Sequence, residues 1–250
     1  MSPNSPHRRL EGLAERHQAL ARQLDQEQLH WWQQARDKLA QADDASTAAV
    51  LISQCKRHLR DQPLPDQAGW SSVQLARALL LAEVLERRSG MARAYLLEQL
   101  FQWGDDQEKI VLLKALDWLD RPGQCLELAL LAGRTSNPQV FAALALDNPY
   151  PARHYPERAF HQLVLKALGM GLDCARVSGL AQRHGVELNQ LALDLLDEQL
   201  DAARPVAASL PRLIAFGLLS AAQRQRLASL AQQQRLPAEW QPHLTTTPTN

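Results

Sequence analysis

An all-α fold is what the sequence predicts: an array of antiparallel helical pairs, either α-solenoid-like in the manner of HEAT and armadillo repeats or gathered into a compact helical bundle. Three observations point there. Apolar residues recur at steps of three and four along almost the whole chain, the spacing that lines one side of a helix. No stretch alternates apolar and polar residues in twos among β-branched side chains, as a half-buried strand does. Glycine numbers 11 and aromatics make up 5% of the 250 residues, so the punctuation between segments is sparse. Short helices joined by short turns suit pairs stacked side by side. No constant-period repeat runs through the sequence, so the solenoid reading rests on that pairing alone.

The elements follow in order. Residues 1–7 read as a flexible tail, and a single helical domain is expected from about 8 to 240. Leu10, Leu13, His17, Leu20 and Leu24 share one face, which predicts an opening helix of about 25–30 residues reaching Trp31 and Trp32. A second helix is expected over 48–59, and QPLPDQAGW (62–70) is a loop. Residues 66–121 contain no proline, and Ser89-Gly90 and Gly104-Asp105 divide them into segments of about 12–18 residues. There Leu96, Leu97, Leu100 and Phe101 mark one stripe, whereas 110–119 is apolar on most sides, as in a helix covered by several neighbours. CLELALLAG stops at Gly133, and Asn137-Pro138 supplies a cap and a first-turn proline for a helix over 138–146. The run DNPYPARHYPE (147–157) has prolines at 149, 151 and 156 and is expected to be an extended, stiff connector. Pro156 opens a helix to about 168–171, further helices are expected over 177–183, 187–203 and 220–235, and 241–250 reads as a disordered tail.

Composition excludes several classes. Twenty-seven basic and 27 acidic side chains balance, so no global field draws nucleic acid or anionic lipid. The first 30 residues lack the apolar block of a secretory signal, and no uncharged run approaches the roughly 18–20 residues of a membrane span, so a cytoplasmic protein is expected. Cys55, Cys125 and Cys174, odd in number and set among aliphatic residues, suit free buried thiols. Trp31, Trp32, Trp70, Trp103 and Trp118 lack a basic groove for base stacking and read as core residues. G-x-S-x-G, Walker, C-x-x-C and G-x-G-x-x-G patterns are all missing, so no standard catalytic class or cofactor is supported.

One polar group is out of place. On the helix after Pro156, Phe160, Leu163, Val164, Ala167 and Leu168 form the stripe, and Glu157 and His161 fall within it, four residues apart and adjacent on the helix surface. His154 lies just upstream, within reach if the connector folds back. Paired structural groups, a recognition pocket that borrows an arginine, and a metal site of two imidazoles and a carboxylate are the three readings; H-x-x-E-x-x-x-H is not the H-E-x-x-H arrangement. The turn 133–137 offers Arg134 beside helix N–H groups that could hold a carboxylate or phosphate, against simple capping by Asn137. Lys166, on the polar face, reads as solvated rather than catalytic.

The string RTSNPQVFAALALDNPYPARHYPERAFHQLVLKALGMG (134–171) resembles the EboA family of bacterial proteins, which is named for a conserved gene cluster. The resemblance runs over about 105–206, continuing through Arg176, Gly179-Leu180, Arg183, Glu187-Leu188, Asp194 and Arg204-Pro205-Val206. His161 stands where the family more usually has asparagine, and Tyr155 where it more often has phenylalanine, which tells against zinc. The resemblance implies a non-catalytic binding or adaptor component of an ebo-type system for processing or exporting secondary-metabolite precursors. It implies no cofactor, and as partners the other ebo-cluster proteins or a small polar or prenylated metabolite. The residues that match best are Arg134, Asn148, Tyr150, His154, Glu157, Gln162 and Lys166, which with His161 form the expected ligand- or partner-binding set. The alternatives are a metal-assisted enzyme, with Glu157 as base and His154 or His161 as ligand or acid, and a carrier holding a lipid-like precursor in an apolar cavity with Arg134 or Lys166 at its mouth.

Overall fold

The computed structural model describes residues 10, 12–42, 44–88 and 90–244; the expected tail at 1–7 lies outside them, as do 245–250. The described residues form helices and no strand, apart from an isolated bridge between Pro63 and Ser71. The all-α expectation holds. The chain divides into two compact units, one reaching Leu144 and the other starting at Ala145, within the span the sequence treats as one domain.

The first unit is arranged about α4 (Ser72–Glu86), preceded by α1 (Leu13–Ala21), α2 (Gln26–Gln41) and α3 (Ala45–His58) and followed by α5 (Met91–Trp103) and α6 (Asp106–Leu119). The sequence of α4, SVQLARALLLAEVLE, is apolar around most of its circumference despite Arg77, Glu83 and Glu86, and therefore has little face to leave in water. Accordingly α1, α2, α3 and α6 all pack against it, and Leu75, Leu79, Leu80, Val84 and Leu85 are fully buried. Burying each such side chain is worth about 1.5–3 kcal/mol. Polar groups fix the ends. Ser71 caps α4, and from its C-terminal end Arg87 Nη1 donates to the Leu39 and Ala40 carbonyls, satisfying the last turn of α2.

The opening segment differs from the single long helix expected. It breaks after Ala21, because Asp25 starts α2 with a capping box: its carboxylate accepts from Gln28 N and the Gln28 side chain accepts from Asp25 N. The apolar stripe runs across the break, and periodicity alone does not register it. The second helix begins three residues earlier than expected, capped by Asp44. The breaks near 90 and 104 fall where the glycines place them. Trp32 and Trp118 are buried, whereas Trp103, expected in the core, is 54% exposed. After α6, α7 (Leu126–Ala132) stops at Gly133 and α8 (Pro138–Ala145) starts at Pro138.

In the second unit, 147–157 is not an extended connector but contains α9 (Pro149–His154). Its prolines occupy the first turn, where an N–H has no intrahelical partner, so they cost the helix no hydrogen bond. Asn148, itself buried, caps this turn by accepting from Tyr150 N. Asp147 enters it with φ 52; its N–H donates to the Arg176 carbonyl at 2.8 Å and its carboxylate receives Arg176 Nε at 3.0 Å. Next comes α10 (Glu157–Gly169), as expected. The helix foreseen over 177–183 is instead irregular, with 3₁₀ turns at Cys174–Arg176 and Ala181–Arg183. Between them Gly179, at φ +74, lies so close to α9 that an added Cβ would stand 2.6 Å from Ala152 Cβ. Arg183 stacks 4.5 Å over the Phe160 ring and donates to the Tyr155 carbonyl at 2.8 Å, closing the C-terminal end of α9.

Then α11 (Val186–Asp201) is tied to the chain ahead of it by Asn189, which donates to the Ala215 carbonyl at 3.1 Å and accepts from Ala215 N at 2.8 Å. After α12 (Ala221–Gln232), residues expected to belong to a disordered tail form α13 (Gln241–Leu244). The anchor is Trp240, fully buried and edge-on to Phe216. The three cysteines are free and buried, and burial pushes the Cys55 thiol up to about 12 and that of Cys174 to about 11. Cys125 is shifted in the same direction by burial and by Asp120.

Candidate functional site

The eight residues expected to form a binding set do not share one environment. Arg134 belongs to the first unit and the other seven to the second. Asn148 is the buried cap of α9, and Tyr150 is fully buried with its ring 4.6 Å from that of His154. Of the two groups expected to point inward from α10, His161 does and Glu157 does not. His161 is completely buried, while the Glu157 side chain is 64% exposed and its Oε1 stays 3.9 Å from His161 Nε2. The first-turn position of Glu157 explains this: the buried stripe of the helix begins only with Phe160. Gln162 is exposed and Lys166 half-buried. Both ring nitrogens of His161, and Nε2 of His154, lack a hydrogen-bond partner among the described residues. No group of three His, Cys, Asp or Glu side chains among those residues could hold a metal ion.

The turn before α8 is filled from within. Asn137 Oδ1 accepts from Gln139 N at 2.9 Å and Val140 N at 3.3 Å, and its Nδ2 donates to Asp106 at 2.7 Å. That occupies the N–H groups an anion would use. Arg134 is exposed and instead lines a cavity of about 320 Å³ with Phe101, Glu98 and Glu127.

A more developed site lies in the first unit, where α3, α4, α5 and α6 enclose a cavity of about 420 Å³. Its apolar lining includes Val50, Leu81, Leu100, Trp103, Val111 and Leu112, and its charged lining is Arg57, Arg77 and Glu108. Val50 and Trp103 are more than half exposed and Arg57 is exposed, so they form a rim open to solvent. Arg77 is only 3% exposed, an arginine on the most deeply buried helix of the unit. Its Nε donates to the Ile52 carbonyl at 3.1 Å, but its Nη2 has no hydrogen-bond partner among the described residues and stands 4.0 Å from Glu108 Oε1. Glu108 cannot close that gap freely. Its other oxygen accepts from Asp105 N at 3.0 Å in the capping box of α6, and Gly104 lets it lie close, since a Cβ there would be 3.1 Å from Glu108 Cβ. A buried guanidinium with an unfilled donor is costly, and an acceptor brought by a ligand would relieve it.

In the sequence the signal for this cavity is Arg77, a charge within the otherwise apolar run Leu75–Ala82 of α4. A family profile described as Metabolite traffic protein EboA matches residues 60–215, more than half of the chain. The chain belongs to the EboA family. The EboA match takes in α4, α5 and α6, and with them Arg77 and Glu108, as well as α9 and α10; α3, which supplies Val50 and Arg57, lies ahead of it. No curated protein and no solved structure matches the chain. Among the described residues no helix is long and apolar enough to cross a membrane.

Proposed function

We propose that this EboA-family chain is a non-catalytic binding and adaptor component of an ebo-type system, which holds a secondary-metabolite precursor in the cytoplasm for the enzymes or exporters of that system. The observation that carries the reading is the α3–α6 cavity, in which a buried arginine keeps an unfilled N–H among apolar walls. The family description as a metabolite traffic protein supports it, as does a cavity volume within the range of about 300–1,000 Å³ usual for small-molecule sites. On this reading partner recognition falls to the second unit, where Glu157 and Gln162 stand exposed on α10 with Lys166 half-buried beside them.

The test is affinity capture with the other products of the gene cluster, alongside native mass spectrometry of the chain purified from its own cells. A partner retained by the parent chain and lost in Glu157→Arg with Gln162→Arg, and a small molecule that leaves in Arg77→Met, are the expected results. Retention of neither partner nor small molecule would sink the reading.

A further inference from the structure

We infer that the α3–α6 cavity takes an amphipathic monocarboxylate, its carboxylate on Arg77 and its apolar body directed towards Trp103 and Val50. This deepens the binding role proposed above and rests on it. The distribution of polarity within the cavity gives the ligand its orientation. Charge lies inside, on a guanidinium 3% exposed, while large apolar side chains lie at the rim, with Val50 at 55% and Trp103 at 54% exposure. An ordinary surface cleft has the reverse arrangement, and a ligand that fits this one enters head first.

Charge sets the head group. Two guanidinium groups and one carboxylate line the cavity, for a net charge of plus one, which a single negative charge neutralises. Arg77 lines the cavity with Nε committed to the Ile52 carbonyl and Nη2 an unfilled donor just beneath its surface, and a carboxylate oxygen is an acceptor suited to it once the guanidinium tilts towards the ligand. A phosphate monoester would bring a second negative charge against Glu108 Oε1, which already stands 4.0 Å from Nη2 and is held there by the capping box. Arg57, exposed on the last turn of α3, attracts the anion to the entrance. The apolar walls of Leu81, Leu100, Val111 and Leu112 then cover the chain or ring that follows.

The experiment is calorimetric titration of the full chain with decanoate, decanol and decyl phosphate, each below its micelle concentration. Decanoate is expected to bind at least tenfold tighter than decanol and tighter than decyl phosphate. Arg77→Met brings decanoate down to the level of decanol, and Glu108→Gln, which keeps the capping box, strengthens decyl phosphate several-fold. Val50→Trp, a change at an exposed position, narrows the entrance and weakens all three. If none of the three binds, the cavity is no ligand site and the proposed function loses its support. If decanol binds as tightly as decanoate, or decyl phosphate binds tightest, the cavity remains a ligand site and the monocarboxylate assignment is overturned. Should Arg77→Met fail to fold, the order of the three affinities in the parent and in Glu108→Gln decides the matter.

Discussion

His17 and Arg77 show how a buried polar residue is read by what its burial costs. The His17 imidazole, covered by its neighbours and facing the Arg36 guanidinium, is pushed down to about 4, although Glu83 lies 3.4 Å away. An unfolded histidine titrates near 6.5, so between those values the unfolded chain binds the extra proton, and stability is lost as pH falls from about 6.5 towards 4. Glu83, pushed upward by burial, offsets part of this. Urea unfolding should give a loss of about 1–3 kcal/mol from pH 7 to pH 4.5, and His17→Leu should flatten that slope. Arg77 makes the opposite case, since its guanidinium is buried with a donor unfilled. Replacing it by methionine fills similar volume and removes the desolvation cost, but also removes the donor to the Ile52 carbonyl and the charge facing Glu108, so stability is expected to change by less than about 2 kcal/mol. A loss above about 2 kcal/mol would make Arg77 a structural residue and remove the argument that the site is kept for binding.

At the scale of elements, the second unit depends on a few contacts between irregular segments. Gly179→Ala would force a left-handed φ on alanine and set its Cβ against Ala152, so α9 or the 174–183 segment must move. The expected cost is about 2–3 kcal/mol, read as a lowered urea midpoint. Asn189→Ala strips both the N–H and the carbonyl of Ala215 of their partner and should cost about 2 kcal/mol or more, whereas Asn148→Ala, the loss of one cap, should cost only about 1.

Much of this level was legible. Gly104-Asp105 marks a helix break, Asn137-Pro138 a helix start and Gly133 an end, in agreement with the structure. The errors have local causes. Asp25-x-x-Gln28 is a start signal hidden inside a continuous apolar stripe, and Pro149 and Pro151 fit the first turn of a short helix as well as an extended connector. The candidate site was half legible. His161 points inward as its spacing requires, but Glu157 sits one turn ahead of the buried stripe and its side chain is mostly exposed. Arg77 is a single charge within the run Leu75–Ala82, but what surrounds it comes from α3 and α6, which no local pattern relates.

Across the whole molecule, the two units differ in construction. The first closes helices around α4, whereas the second strings α9 to α13 together with 3₁₀ turns at Cys174–Arg176, Ala181–Arg183, Leu210–Leu213, Phe216–Leu218 and Ala238–Trp240. Fewer long helices sharing a common core make the second unit the one expected to open at lower denaturant. The buried thiols supply a clock for that event. Sulfur attacks alkylating and disulfide reagents as thiolate, and at neutral pH a group held near 11 or 12 inside the fold offers almost none. Reaction with such a reagent therefore waits for opening. Cys174 times the second unit, and Cys55 and Cys125 time the first, so peptide mapping of iodoacetamide adducts along a urea series should record Cys174 first. Equal labelling of all three in native buffer would contradict this order. The same chemistry means that an oxidant reaches these sulfurs only in chains that have already begun to unravel, which confines oxidative cross-linking to the damaged fraction.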